Sequence, residues 1–103
     1  MFEWTMAKYL GYEPKTTFWS DFSIADRFGA DAIRDTYKRA FNEWKGSYVY
    51  LTELTMVLNH KTWQFKDNDE ICKLYIELYY QTLDYAYDNL KGDELSYFLE
   101  TTD

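Results

Sequence analysis

Apolar residues recur at three- and four-residue intervals along most of the chain. That spacing suits helices with one buried face, not strands. The clearest case is "ADAIRDTYKRAFNEWK", where Ile33, Tyr37, Phe41 and Trp44 line one side with Ala40 between them. It predicts a helix over about 31–45, ended by Gly46. Ahead of it, Ser20 is the expected cap of a helix over about 20–28, with Gly29 at the left-handed stop position. After it, about 47–65 carries two stripes: Leu51, Leu54 and Leu58 form one, and Val49, Met56 and Trp63 the other. A helix apolar on two sides belongs at the centre of a bundle. "KDNDE" then turns the chain, with Asp67 and Glu70 spaced as a capping box. A fourth helix is predicted over about 68–91, stopping at Gly92, and a short fifth begins near Asp93 with Leu95, Phe98 and Leu99 as its apolar positions. Residues 1–15 read as either a short helix or an extended arm, closed by Gly11 and Pro14. The expected fold class is all-α: one domain, 1–103, built as a compact bundle of four to five helices with short connections. Ile33, Tyr37, Phe41, Trp44, Leu51, Leu54, Leu58, Leu74 and Leu78 are its predicted core.

Composition supports a folded chain: 47% of the 103 residues are apolar and 21% aromatic, far from a disordered composition. A chain of this length buries roughly two thirds of its unfolded surface. Cys72 is the single cysteine, so no intrachain disulfide forms. "MFEWTMAKYLGYEPK" carries charges throughout, and no apolar run is long enough to span a bilayer. The expectation is a soluble, cytoplasmic protein. Its net charge is -7, unevenly spread. Residues 67–103 hold ten acids against Lys73 and Lys91, so this segment carries the whole imbalance. Such a surface suits a basic protein partner and not nucleic acid or an anionic membrane.

The segment "LYIELYYQTLDYAYDNLKGDE" adds five tyrosines to those acids. On a helical wheel, Glu70, Glu77, Gln81, Asp84 and Asp88 share one narrow sector, with Lys73 and Lys91 at its edge. Ile71, Leu74, Tyr75, Ile76, Leu78, Tyr79 and Leu83 fill most of the remaining circumference. Tyr75 and Tyr79 fall mid-face, as core. Tyr80, Tyr85 and Tyr87 flank the acids, where a ring packs while its hydroxyl stays wet. One reading is a solvated strip that keeps the chain soluble. The other is a contact surface, with tyrosines supplying area and acids meeting Arg or Lys on a partner. The candidate partner-binding set is Asp67, Asp69, Glu70, Glu77, Tyr80, Asp84, Tyr87, Asp88, Asp93 and Glu94. Glu77 and Asp84, about 10 Å apart on one face, are expected to be exposed and un-neutralised. As a mimic of nucleic acid the strip is sparse: its four carboxylates span about 27 Å, whereas duplex DNA carries a charge every 1.7 Å or so.

No catalytic, cofactor-binding or metal-binding set is read from the residues. His60 and Cys72 are each alone, too few for a zinc site. Cys72 reads as a small core residue and His60 as structural or surface. No glycine-rich phosphate loop is present. Asp84 and Asp88 suit a solvated face better than a hard cation. Asp21, Asp26, Asp31 and Asp35 alternate with bases and read as caps and ion pairs, with Asp35 four before Arg39 and Asp31 three before Arg34. The expectation is a non-enzyme.

The stretches "TTFWSDFSIADRFGADAIRDTYKRAFNEWK", "YLTELTMVLNHKTWQ" and "NLKGDELSYFLETTD" resemble small acidic proteins of prophages and conjugative elements of gut bacteria. The likeness runs from about Thr16 to the end of the chain, outside the N-terminal arm. Proteins of this kind include anti-CRISPR inhibitors of type II-A systems. The resemblance implies a stoichiometric inhibitor that binds a type II-A RNA-guided nuclease at a basic nucleic-acid-binding surface, through the acidic C-terminal third. The alternative is a structural or regulatory accessory of a mobile element that self-associates or binds another element protein.

Overall fold

A computed structural model describes residues 17–102, and the arm expected at 1–15 lies outside the described residues. Five helices follow in order: α1 (Phe18–Asp26), α2 (Ala30–Trp44), α3 (Tyr48–Gln64), α4 (Asp69–Asn89) and α5 (Gly92–Thr102). No strand occurs among the described residues. The all-α bundle expected from the periodicity is the observed fold. No helix among these residues is long and apolar enough to cross a membrane.

The helix ends correct three sequence readings. Thr17, not Ser20, precedes α1, and Ser20 is exposed in its first turn. The reason is burial: Phe18 and Phe22, one turn apart, both lie in the core, so the first turn must be helical to align them. Asn68, not Asp67, caps α4: its side-chain oxygen accepts from the Ile71 N–H at 3.2 Å. Asn caps as well as Asp, and the frame shifts by one residue. Gly92 does not stop α4 but opens α5 at φ 57°. The chain leaves α4 earlier because Leu90 turns inward, 6% exposed, to join Leu51, Ala86 and Phe98. Gly29 breaks the chain between α1 and α2 at φ 102°, a conformation open to glycine alone at no steric cost.

α3 is the central helix, packed most extensively on α4 and also touching α1, α2 and α5. Leu51, Leu54, Val57 and Leu58 are fully buried, and so are Thr52 and Thr55. The two threonine hydroxyls donate back to the Tyr48 and Leu51 carbonyls at 2.7 and 2.9 Å, so neither is stranded. Only the middle of α3 is enclosed. Its second predicted stripe therefore fails at the end: Val49 and Met56 are half-buried, and Trp63 in the last turn is 68% exposed.

Seven of the nine predicted core residues are buried. Phe41 and Trp44 are half-buried instead: both pack against the buried cluster from its edge, and Trp44 lines an open cleft beside α1. Phe41 stacks on Tyr37 and stands edge-on to Tyr85, while Trp44 tilts against Tyr50. Cys72 sits at the rim, half-buried, with its S–H directed at the Thr62 carbonyl. Contacts between α2 and α4 climb together: Arg34 with Glu77, Tyr37 with Thr82, Phe41 with Tyr85. The two helices thus run parallel, and α2 borders one flank of α4.

Candidate functional site

α4 buries Leu74, Tyr75, Leu78, Thr82 and Ala86 against the bundle and turns its opposite face to solvent. All ten residues of the candidate set are exposed. Their surroundings divide them. Asp69 and Glu70 lie in the first turn of α4, and Asp93 and Glu94 in the first turn of α5. There the helix macrodipole favours a negative charge, so helix stability alone accounts for these four. Asp67 stands in the turn before α4.

Glu77, Asp84 and Asp88 remain along the body of α4. Glu77 is not the un-neutralised acid expected from the sequence. Arg34 of α2 donates to its carboxylate at 2.7 Å, with both side chains 48% exposed. The wheel of α4 could not show this base, which arrives from a parallel neighbour. The pairing also redirects Arg34 from Asp31, three residues before it. Asp84 and Asp88 are exposed, one turn apart, and take part in neither of the two ion pairs seen among the described residues. The last turn of α4 holds no basic residue, and there the macrodipole disfavours acids. Asp88 therefore sits where the local field is least favourable to it, and Asp84, one turn earlier, gains no support from either end of the helix.

The tyrosines split differently from the wheel. Tyr75 is fully buried and Tyr79 half-buried; Tyr85 is also half-buried, held against Phe41. Tyr80 and Tyr87 are 58% and 54% exposed, and Ile76, expected on the packed arc, is 39% exposed. Ile76 is uncovered because α3 and α2 both lie on the other side of α4. Ile76, Tyr80, half-buried Leu83 and Tyr87 recur at four, three and four residues. They form one apolar seam, and helical geometry sets Asp84 and Asp88 along its flank.

A second polar cluster escaped the sequence reading. Lys61 of α3, 3% exposed, donates to Asp26 of α1 at 2.6 Å and lies 3.4 Å from the Ser23 hydroxyl. The Tyr75 hydroxyl of α4 donates to the other Asp26 oxygen. Burial, reinforced by the Asp26 carboxylate, pushes the Tyr75 phenol far above its usual range. The signal was present: Lys61 continues the Leu54–Leu58 stripe at helical spacing. The cluster ties α1, α3 and α4 together.

His60 lies between two indoles, 5.3 Å from Trp19 and 6.2 Å from Trp63 by ring centroids. With Met56, Asn59, Thr101 and Thr102 these rings line an open cleft of about 510 Å³. The Trp19 indole N–H is enclosed without an acceptor among the described residues. No nucleophile–base pair converges in the cleft, and no group of three or more metal-ligating side chains exists among the described residues. Compared with protein-family models, curated proteins and solved structures, the chain matches none.

Proposed function

We propose that the chain is a stoichiometric anti-CRISPR inhibitor that binds a type II-A RNA-guided nuclease at a basic nucleic-acid-binding surface, through its acidic C-terminal third. The observation that carries the reading is the exposure of every acid between Asp67 and Glu100, of which only Glu77 is ion-paired within the described residues. A chain with that segregation of charge is drawn to arginine-rich channels that otherwise hold phosphates. Carboxylates meeting arginines form charge-assisted hydrogen bonds, and the bound domain then excludes nucleic acid by occupancy. Inhibition by occupancy needs no catalytic group and no cofactor.

The test is co-elution of the chain with the nuclease, with and without guide RNA, alongside a DNA-cleavage assay at stepwise molar ratios. Inhibition that saturates near equimolar protein supports the reading. Absence of both co-elution and inhibition across several type II-A nucleases removes it, and inhibition at a small fraction of equimolar points to an enzyme instead. The exposed Ile76, Tyr80 and Tyr87 favour a second reading, a non-enzymatic accessory of a mobile element that self-associates. Light scattering that shows a strict monomer at micromolar concentration rules out that self-association.

A further inference from the structure

We infer that the Ile76–Tyr80–Leu83–Tyr87 seam of α4 receives an amphipathic helix of the protein partner, with two basic residues one turn apart on that helix engaging Asp84 and Asp88. This rests on the reading above in one respect, that the partner is a basic protein.

Three observations converge on that occupant. The seam repeats at four, three and four residues, the spacing at which one helix lays its apolar side chains along another. It covers about 16 Å, or three turns, a match for a partner helix of similar length. Among the described residues, the other large exposed apolar side chains, Ile24, Phe28 and Trp63, come from α1, the turn after it and the last turn of α3, and none belongs to this line. The flank of the seam carries the two exposed acids of α4 that lie outside its first turn and take part in neither ion pair of the described residues. A cation brought by the partner satisfies them and offsets the dipole. Arg34 has already taken Glu77, so the receptive charge is confined to the C-terminal half of the seam and orients the incoming helix.

A second copy of the chain fits poorly. Antiparallel pairing across the seam sets the Asp84–Asp88 flank against itself. Parallel pairing sets it against the Tyr79 flank, which carries no base. Antiparallel pairing brings Lys73 to that flank, but together with Glu70 and Glu77, and parallel pairing brings no cation. Neither supplies two cations one turn apart, and like charges placed face to face oppose association. The charge pattern therefore selects a basic helix over the chain's own α4.

The probe is a synthetic helical peptide with leucines at the seam's own spacing and two arginines one turn apart on one flank. A second peptide replaces both arginines with glutamates. Each is titrated into the full chain by fluorescence anisotropy. Binding of the arginine peptide, about tenfold or more weaker with Tyr80→Ser plus Tyr87→Ser and with Asp84→Lys plus Asp88→Lys, supports the inference. So does failure of the glutamate peptide to bind. Unchanged melting of both variants by circular dichroism excludes misfolding as the cause. No binding of the arginine peptide, equal binding of the two peptides, or unaltered affinity in both variants overturns it. Dimers in light scattering that the Tyr80→Ser plus Tyr87→Ser variant converts to monomers also overturn it, since the seam is then filled by a second copy. The nuclease assay separates the two readings. Peptide recognition without nuclease inhibition keeps the seam and removes the nuclease, whereas inhibition undiminished by both variants keeps the nuclease and removes the seam.

Discussion

Lys61→Met tests whether the Asp26–Lys61–Tyr75 cluster holds three helices together. Methionine keeps most of the apolar stem, which runs beside Phe65 with the ammonium 5.8 Å from its ring, and removes only the charge. Asp26 is then left 10% exposed with no cation, although the Tyr75 hydroxyl still donates to it. Breaking a buried pair on one side costs about 3–5 kcal/mol, roughly a fifth or more of the stability of a typical domain. Asp26→Leu strands the Lys61 ammonium and is expected to cost a similar amount. The double variant has no uncompensated charge. It loses chiefly the acceptor of the Tyr75 hydroxyl, about 1–3 kcal/mol, and should be more stable than either single variant. Urea unfolding followed by far-UV circular dichroism gives the three differences, provided the slopes agree. A loss below about 1 kcal/mol in Lys61→Met, or additive single losses in the double variant, refutes the view that the pair is a coupled buried unit.

Leu54→Ala, at a fully buried position of α3, is expected to lower stability by about 2–5 kcal/mol in the same urea assay; melting like the parent refutes the central placement of α3. Asn68→Ala should cost about 1 kcal/mol through the lost cap of α4 while Asp67→Ala changes little, a contrast that thermal melts resolve. Burial raises the phenols of Tyr37, Tyr75 and Tyr97, with Thr82 partly countering it at Tyr37. Their folded values lie above the unfolded value of about 10, so their contribution is complete below about pH 10 and is lost as pH rises through the folded values; melts across alkaline pH should show stability falling, less steeply in Tyr37→Phe. Glu77→Gln removes a half-exposed pair with Arg34 and should cost no more than about 1 kcal/mol, as a double-mutant cycle with Arg34→Gln reads directly.

Helix identity and order were legible because apolar spacing is a local property. Ile33, Tyr37 and Ala40 mark the buried face of α2 in the sequence itself, and Leu51, Leu54 and Leu58 do the same for α3. Helix ends were less legible, because tertiary burial moved them. Phe18 drew the first turn of α1 forward, and Leu90 pulled the chain out of α4 before Gly92. Phe41 and Trp44 share the spacing of buried residues, yet no periodicity reveals that α2 runs along the edge of the bundle at that end. Lys61 drew no reading at all. Its position on a leucine stripe foretold burial, while its charge suggested the surface.

The same limit applies to the surface of α4. A wheel with apolar residues around most of its circumference does not say which arc the neighbours cover. The parallel approach of α2 and the central place of α3 decide it, leaving Ile76, Tyr80 and Tyr87 outside. The acids were correctly expected at the surface, but equal exposure does not make them equal. Four gain stability from the helix N-termini they occupy, and one is held by Arg34. Asp84, Asp88 and Glu100 gain nothing from a helix N-terminus or from an ion pair among the described residues, and of these only Asp84 and Asp88 lie along α4. The proposed partner helix would supply the cation that the fold does not bring to Asp84 and Asp88, and removing both acids would still leave the chain negative, so their contribution to solubility and their proposed contribution to binding are separable by the Asp84→Lys plus Asp88→Lys variant.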